Sequence, residues 1–335
     1  FYFLFFFKNE LKKKNIFFNL YTDFSSQLLD CDKIFIDSKF YKFFWNNNFT
    51  TIIKHFEFFK KEIKKICYFD TTDSTGNIQN EVFDYIDVYF KSQILKKREL
   101  YKRKYYGSRI FTDYMRSRMS VADKNEIFHK PLKRNQIKKI KVFWNSSLSN
   151  YSLSGRLLNF FFRKTQMNLF LRYPKIKYRP NLNRPIKYMY KGNFSYDRET
   201  ISWQRRKIFD KVKNLTNTKR ENFIKYIKIL KKTKIMISPF GWGEINYKDY
   251  ESFLYGNLLL KPNIDHLETW PNLFKKNVTY IPFSWDLSNF DKVLKDIEIN
   301  FEDYIGIAKK GQENYFGYLS NHKLIFNRLI NICRH

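Results

Sequence analysis

The stretch IMISPFGWGEINYKDYESFLYGNLLLKP, residues 235–262, decides the fold. Ile235–Ile237 is a short strand-forming run that Ser238-Pro239 stops, and Gly241 and Gly243 let the following loop turn tightly. Tyr247, Tyr250 and Leu254 then recur at helical spacing across Tyr247–Tyr255, with Gly256 placed as the C-terminal stop. Leu258–Leu260 is a second short buried strand, closed by Pro262. Strand, glycine loop, helix and strand make one βαβ unit, so the strands run parallel and the loop lies at their carboxyl edge. A helix N-terminus behind such a loop is an anion site, because free N–H groups and the helix dipole both face the ligand. The residues offered to an anionic ligand there are Gly241, Gly243, Glu244, Asn246 and Tyr247. Glu244 and Glu251 are seven residues apart, which is one helical face after two turns.

Outward from this unit the chain alternates strands and helices, which predicts an α/β layer structure. Before it, Asn15–Leu20, Lys33–Asp37, Lys64–Asp70, Asp87–Phe90 and Lys138–Trp144 read as strands, with a helical stripe over Ile52–Ile63. Ser92–Tyr105 is basic and helical in pattern. The strand ending at Asp70 runs into TTDSTG, a polar loop at a carboxyl edge, where Asp70 and Asp73 are placed to hold hydroxyls or act as a base. NSSLSNYSLSG is a second polar loop at the same edge, and Leu157–Arg163 is the helix leaving the first half. Pro174, Pro180 and Pro185 interrupt Arg172–Pro185, so the boundary falls there. This divides the chain into an N-terminal Rossmann-like domain (1–172), a second one (186–319) and a terminal helix (320–335). The second opens with strand Ile186–Lys191 and helices Ile201–Val212 and Phe223–Leu230. Beyond the central unit come strand Val278–Ile281, a helix over Phe290–Ile297 capped by Asp286 or Ser288, and helices Tyr304–Leu319 and His322–Ile332.

With 43% hydrophobic and 20% aromatic residues over 335 positions, a disordered chain is excluded. The net charge is +31, and Lys91–Lys141 alone carries seventeen basic residues against four acidic ones. Either lysines decorate solvated faces throughout, or the excess attracts anionic lipid or a phosphate-bearing acceptor. No zinc finger, RRM signature or basic zipper is present, so no specific nucleic-acid partner is expected, and charge is the one feature favouring a nucleic-acid-binding module. Three scattered cysteines without a CxxC pair fit a reducing cytoplasm, with peripheral contact at the inner face of the membrane as the use of the charge. The opening FYFLFFF is too short to cross a bilayer and reads as a buried first strand or the truncated end of something longer. Asp30-Cys31-Asp32 matches a metal-holding D-x-D string but precedes a strand instead of following one, so no metal site is assigned.

SPFGWGEINYKDYESFLYGNLLLKP, followed by DHLETWP and VTYIPFSWDLSNF, resembles bacterial glycosyltransferases of the two-Rossmann-domain (GT-B) type, in the group-1 and spore-maturation-like branch. The resemblance is strongest over Ser238–Phe290, with a weaker echo over Asp84–Tyr114. It implies two Rossmann-like domains facing a cleft, a last helix that packs back on the first domain, and transfer of a sugar from a nucleotide-sugar to a polysaccharide, glycolipid or protein acceptor. It also implies retention of configuration, no metal, and no cofactor beyond the nucleotide-sugar co-substrate. In the family motif a glutamate heading the helix binds the donor ribose, and the matching position is Glu251. An upstream glutamate near the sugar corresponds to Glu244, although six residues separate the pair here and seven is usual. His266, in the DHLETW loop, is placed to reach sugar or phosphate. Catalytic candidates are therefore Glu244, Asp73 and His266. The family's Gly-Arg…Lys pair for the diphosphate is not reproduced, which leaves Lys191, Arg198, Arg205 and Arg206 as candidate cations, with Arg198 nearest the loop and Arg205 and Arg206 read first as the solvent face of a helix. These two departures also suit an inactive glycosyltransferase-like protein.

Overall fold

Apolar runs of alternating facing and helical stripes set the elements in a computed structural model that describes residues 2–145 and 149–335. The aromatic opening coils into two short helices, Tyr2–Phe6 (α1) and Lys8–Lys12 (α2). Then follow strand Lys33–Asp37 (β1), helices Phe44–Asn47 (α3) and Phe49–Glu62 (α4), and strands Lys65–Asp70 (β2), Val88–Lys91 (β3) and Gln93–Leu95 (β4). Helices Ile110–Met119 (α5) and Arg134–Lys139 (α6), strand Ile140–Val142 (β5) and helix Gly155–Thr165 (α7) complete the first half. The second half begins with strand Ile186–Met189 (β6), helices Glu199–Val212 (α8) and Phe223–Lys232 (α9), and strand Thr233–Ile237 (β7). Helix Tyr247–Tyr255 (α10) and strands Leu258–Pro262 (β8), Leu267–Thr269 (β9) and Ile281–Phe283 (β10) follow. Helices Phe290–Ile299 (α11), Phe301–Ser320 (α12) and His322–Arg334 (α13) end it.

Two parallel four-stranded sheets result, ordered β1-β2-β3-β5 and β10-β8-β7-β6. These are two Rossmann-like domains. Because successive strand residues face opposite ways, each sheet buries two faces. Cys67 and Phe69 of β2, Met236 of β7 and Leu259 of β8 join one core that is continuous between the sheets. Ile66 and Tyr68 line a separate core under the first sheet, and Ile235, Ile237, Leu258 and Leu260 another under the second. The helix α13 packs back on the first domain. Phe326 meets Phe7 with ring centroids 5.8 Å apart, Arg328 donates to the Val142 carbonyl, and Leu329 and Ile332 share a core with Phe3.

The central βαβ unit forms as its spacing predicts. β7 and β8 pair in parallel, α10 spans Tyr247–Tyr255, and Gly256 ends it in the left-handed conformation at φ 63°. Several other elements differ from expectation. The aromatic opening is helical and not a strand, because it packs on α13 and not on a sheet edge. Asn15–Leu20 forms no strand, and the first sheet stops at β1. Ser92–Tyr105 is not a helix. Gln93–Leu95 finds an antiparallel partner in β9, and only a short 3-10 turn, Arg98–Lys102, follows. Lys138 and Lys139 close α6, which leaves β5 three residues long. The strand placed at Val278–Ile281 starts at Ile281, since Thr279 instead ties a turn by donating to the Leu273 carbonyl at 2.7 Å. Asn289, not Asp286 or Ser288, stands at the N-cap of α11. Residues 146–148 of the second polar loop lie outside the described residues. Among the described residues no helix is long and apolar enough to cross a membrane.

Candidate functional site

The carboxyl edges of the two sheets face each other. β7 and β8 deliver residues 238–246 and 263–266, and β2 and β3 deliver residues 71–76 and 92–93. Where these loops meet, Glu244 is fully buried. Its Oε2 accepts from the Thr75 N–H at 3.0 Å and lies 3.5 Å from Gln93 Nε2, both in the first domain. Its Oε1 faces His266 Nε2 at 3.5 Å. The β4–β9 ladder fixes this meeting, pairing Gln93 with Thr269 and Leu95 with Leu267 across the domains, and Arg98 reaches Glu268 at 2.6 Å. His266 rests edge-on against Trp285, centroids 5.2 Å apart. Burial pushes the Glu244 pKa up, but the His266 imidazole and the Thr75 N–H outweigh it and hold the carboxyl below its ordinary range.

Three buried polar atoms at this junction have no hydrogen-bond partner among the described residues, Ser74 Oγ, Thr75 Oγ1 and Gln93 Oε1, while Glu244 Oε1 and His266 Nε2 face only each other. Buried polar groups are nearly always paired, so such a cluster marks a place built to receive polar atoms. Gly243 brings the two loops together. A Cβ there would lie 2.8 Å from the Ser74 nitrogen and 3.2 Å from Asp73 Cβ, so glycine serves close approach and not a left-handed turn. Gly243→Ala is expected to cost about 1–3 kcal/mol through overpacking. Urea unfolding measures this, and unchanged stability would mean that the two loops do not touch. Asp73 itself is exposed at the rim, while Asp70 is buried and bonded to Lys91 at 2.5 Å and Tyr89 at 2.5 Å.

Glu244 is held from below by Lys261, whose ammonium donates to the Glu244 carbonyl at 2.6 Å and to Asp249 Oδ2 at 2.9 Å. Asp249 also accepts from Ser238 Oγ at 2.6 Å and from the Asn246 N–H at 3.0 Å, closing a capping box at the start of α10. Asn246 spends its side chain on that cap, accepting from the Lys248 N–H at 3.1 Å, and Tyr247 is exposed. Glu244 precedes the helix, so it does not share a helical face with Glu251. Glu251 is buried farther along α10, where the hydroxyls of Tyr151, at 2.7 Å, and Tyr226 donate to its two oxygens. Burial first, then the carboxylate's charge, pushes both phenols well up.

The cations are distributed differently from expectation. Lys191 donates to the Lys219 carbonyl at 2.7 Å, outside the junction. Arg198 is buried and donates to Asp123 at 2.9 Å and to the Gly107 carbonyl at 3.0 Å, which leaves its Nη2 without a partner. Asp123 also accepts from the Thr200 N–H at 2.8 Å, so a first-domain carboxylate sits on the N-terminus of α8. Arg205 is not on a solvent face. It is buried under the glycine loop, donating to the carbonyls of Phe240 and of Asn193 (3.0 Å), and a Cβ on Gly241 would come within 2.8 Å of it. Arg206 does face solvent, paired with Glu199. Arg109, pushed down to about 10 by burial and by Arg198, donates to the Trp242 carbonyl at 2.7 Å. Thr75, Gln93 and Lys261 were thus not singled out by their sequence, and Arg205 was placed on the wrong face. Only Lys261 carries a local signal, a lone charge inside the apolar run LLLKP.

No protein-family model and no characterised protein matches the chain by sequence. Among solved structures, Anabaena HepE in complex with UDP is similar over 98% of this chain and 89% of its own, at 8% identity and a TM-score of 0.47. The same protein with UDP-glucose gives a TM-score of 0.45. A glycosyltransferase from Rickettsia africae is similar over 97% of this chain and 86% of its own, at 12% identity and a TM-score of 0.42.

Proposed function

We propose that the protein moves a sugar from a nucleotide-sugar donor to a polysaccharide, glycolipid or protein acceptor, at the junction around Glu244. The observation that carries this reading is the cluster of unpaired buried polar atoms at two facing carboxyl edges. A sugar hydroxyl both donates and accepts, so a hydroxyl-rich ligand can satisfy Ser74, Thr75 and Gln93 together. In the transfer the bond from the anomeric carbon to the diphosphate oxygen breaks, and a bond to the acceptor oxygen forms. For the configuration to be retained the acceptor oxygen approaches on the face that the diphosphate leaves, and its proton goes to His266, which Glu244 orients and whose imidazolium it stabilises. The negative charge growing on the departing diphosphate falls to Arg205 beneath the glycine loop and to the unpaired Nη2 of Arg198. Retention of configuration, independence from metal, the absence of any further cofactor and a cytoplasmic site of action belong to the same proposal. Thermal-shift measurements against nucleoside diphosphates and their sugars test it, since a ligand of the folded state raises the melting temperature by mass action. Indifference to the whole panel would overturn it.

A second reading, a glycosyltransferase-like protein that binds donor without turnover, is favoured by two occupied positions. Asp123 holds the α8 N-terminus, and two tyrosines hold Glu251. In the active reading a ribose displaces one tyrosine hydroxyl from Glu251. Glu251→Gln is then expected to weaken nucleotide binding by about 1.5–3 kcal/mol, the range for hydrogen bonds to charged groups. It should also narrow the preference for ribose over 2′-deoxyribose nucleotides, read by titration calorimetry with both forms. A mutant that keeps the full ribose preference would show that Glu251 serves the tyrosines alone.

A further inference from the structure

The helix α7 is held to the body by a narrow strip. Leu158 and Phe162 are half-buried on its inner side, with Phe162 edge-on to Phe5 at 5.1 Å, and Asn159 accepts from Asn150 Nδ2 at 2.7 Å. Leu157, Phe160 and Phe161, at i, i+3 and i+4, form the opposite side and are 58%, 50% and 39% exposed. Leu153, just before the helix, and Leu169, just after it, are also exposed, at 70% and 63%. Scattered exposed leucines need no explanation, but a contiguous aromatic and aliphatic face on one thinly packed helix does.

Charge identifies what that face meets. Lys164 lies within it at i+7 from Leu157, its ammonium 5.7 Å from the centre of the Phe160 ring, and Arg156 and Arg163 flank it. From residue 127 to residue 196 the chain contains no aspartate or glutamate. A protein partner with an apolar surface would not require this, whereas a bilayer of anionic headgroups is attracted by every cation and repelled by every carboxylate. We propose that the outer face of α7 lies in the headgroup region of an anionic membrane, with Leu157, Phe160 and Phe161 entering the acyl boundary and Arg156, Arg163 and Lys164 at the phosphates. Lys164, whose ammonium lies over the Phe160 ring, is placed to extend to the phosphates as a snorkelling side chain does when that ring enters the acyl boundary. The surface is distinct from the sugar-transfer junction and does not depend on that reading. It also differs from the basic stretch Lys91–Lys141, whose Lys91 and Arg109 are buried in the protein.

The full chain is to be sedimented with phosphatidylcholine vesicles, with and without phosphatidylglycerol, across a salt series. The expected result is binding to the anionic vesicles that weakens as salt rises. The combined change Leu157→Ser, Phe160→Ser should lower partition roughly tenfold or more while leaving the melting temperature unchanged, since both side chains are at least half exposed, and Phe161, whose ring stacks on Phe170 at 5.4 Å, is left in place. Arg156→Glu with Lys164→Glu should act in the same direction, more strongly at low salt. Added emission from Phe160→Trp should shift to the blue on anionic vesicles only. Unaltered vesicle binding by both variants would overturn the proposal. So would a dimer in light scattering that the serine variant dissociates while the wild type ignores vesicles, for the face would then belong to a second copy of the chain.

Discussion

Glu244→Gln is expected to lower sugar transfer by about 10²–10⁴-fold, the range for losing a positioned acid–base group, while the chain stays folded. The variant keeps an oxygen for the Thr75 N–H, so the contact between domains survives. What it loses is the negative charge 3.5 Å from His266, and with it the stabilisation of an imidazolium. Donor binding should change much less than turnover, because the charge matters most when the proton has moved. Turnover of a nucleotide-sugar and donor affinity, measured side by side, check this, and a variant that transfers at the wild-type rate would remove Glu244 from the mechanism. The carboxyl also predicts a pH signature. Its folded-state pKa lies below the ordinary 4.5, so its contribution to stability is complete above that value and is lost as pH falls through the folded value. Wild type should therefore lose stability on the acid side, below about pH 4.5, in a way that the glutamine variant does not. Identical acid profiles would mean that the carboxyl is not held by its neighbours.

What could be read from the chain depended on how local its cause was. The βαβ unit around α10 was legible because strand, glycine loop, helical stripe and left-handed Gly256 are neighbours in sequence and each obeys a short-range rule. The buried strands β2, β3 and β8 were legible as apolar runs for the same reason. The ladder β4–β9 was not, since two three-residue strands have no periodicity of their own and exist only through each other. The contact of Thr75 with Glu244 spans 169 positions, and nothing near either residue announces the other. Arg205 shows the same limit in another form. Next to Arg206 on an amphipathic helix it looks like a solvent pair, yet a turn of the chain at Phe240 covers one arginine and leaves the other exposed. Glu244 and His266 were named as candidates from motif position, and the tertiary structure supplied what composition could not, their mutual approach.

Lys261→Met is expected to be the most destabilising of the substitutions considered, at about 3–5 kcal/mol, because it breaks a buried ion pair by removing one partner. Both side chains of the pair with Asp249 are fully buried. Without the ammonium, Asp249 retains only Ser238 and the Asn246 N–H, and an uncompensated carboxylate remains in an apolar setting beside Phe240 and Phe274. The same change frees the Glu244 carbonyl, so the loop that presents Glu244 to His266 loses its anchor. Lys91 and Asp70 form the corresponding pair at the edge of the first sheet, and Lys91→Met should cost a similar amount without disturbing the Glu244 backbone. That comparison separates burial of charge from positioning. Both variants should unfold at lower urea, but only Lys261→Met should also alter the acid-side profile assigned to Glu244. Adding Asp249→Asn to Lys261→Met should recover part of the loss, since the stranded charge is then gone while the amide oxygen still accepts from the Asn246 N–H and the amide NH2 can donate to Ser238 Oγ. A cost below about 1 kcal/mol for Lys261→Met, or no recovery in the double variant, would mean that the pair is not what holds this loop.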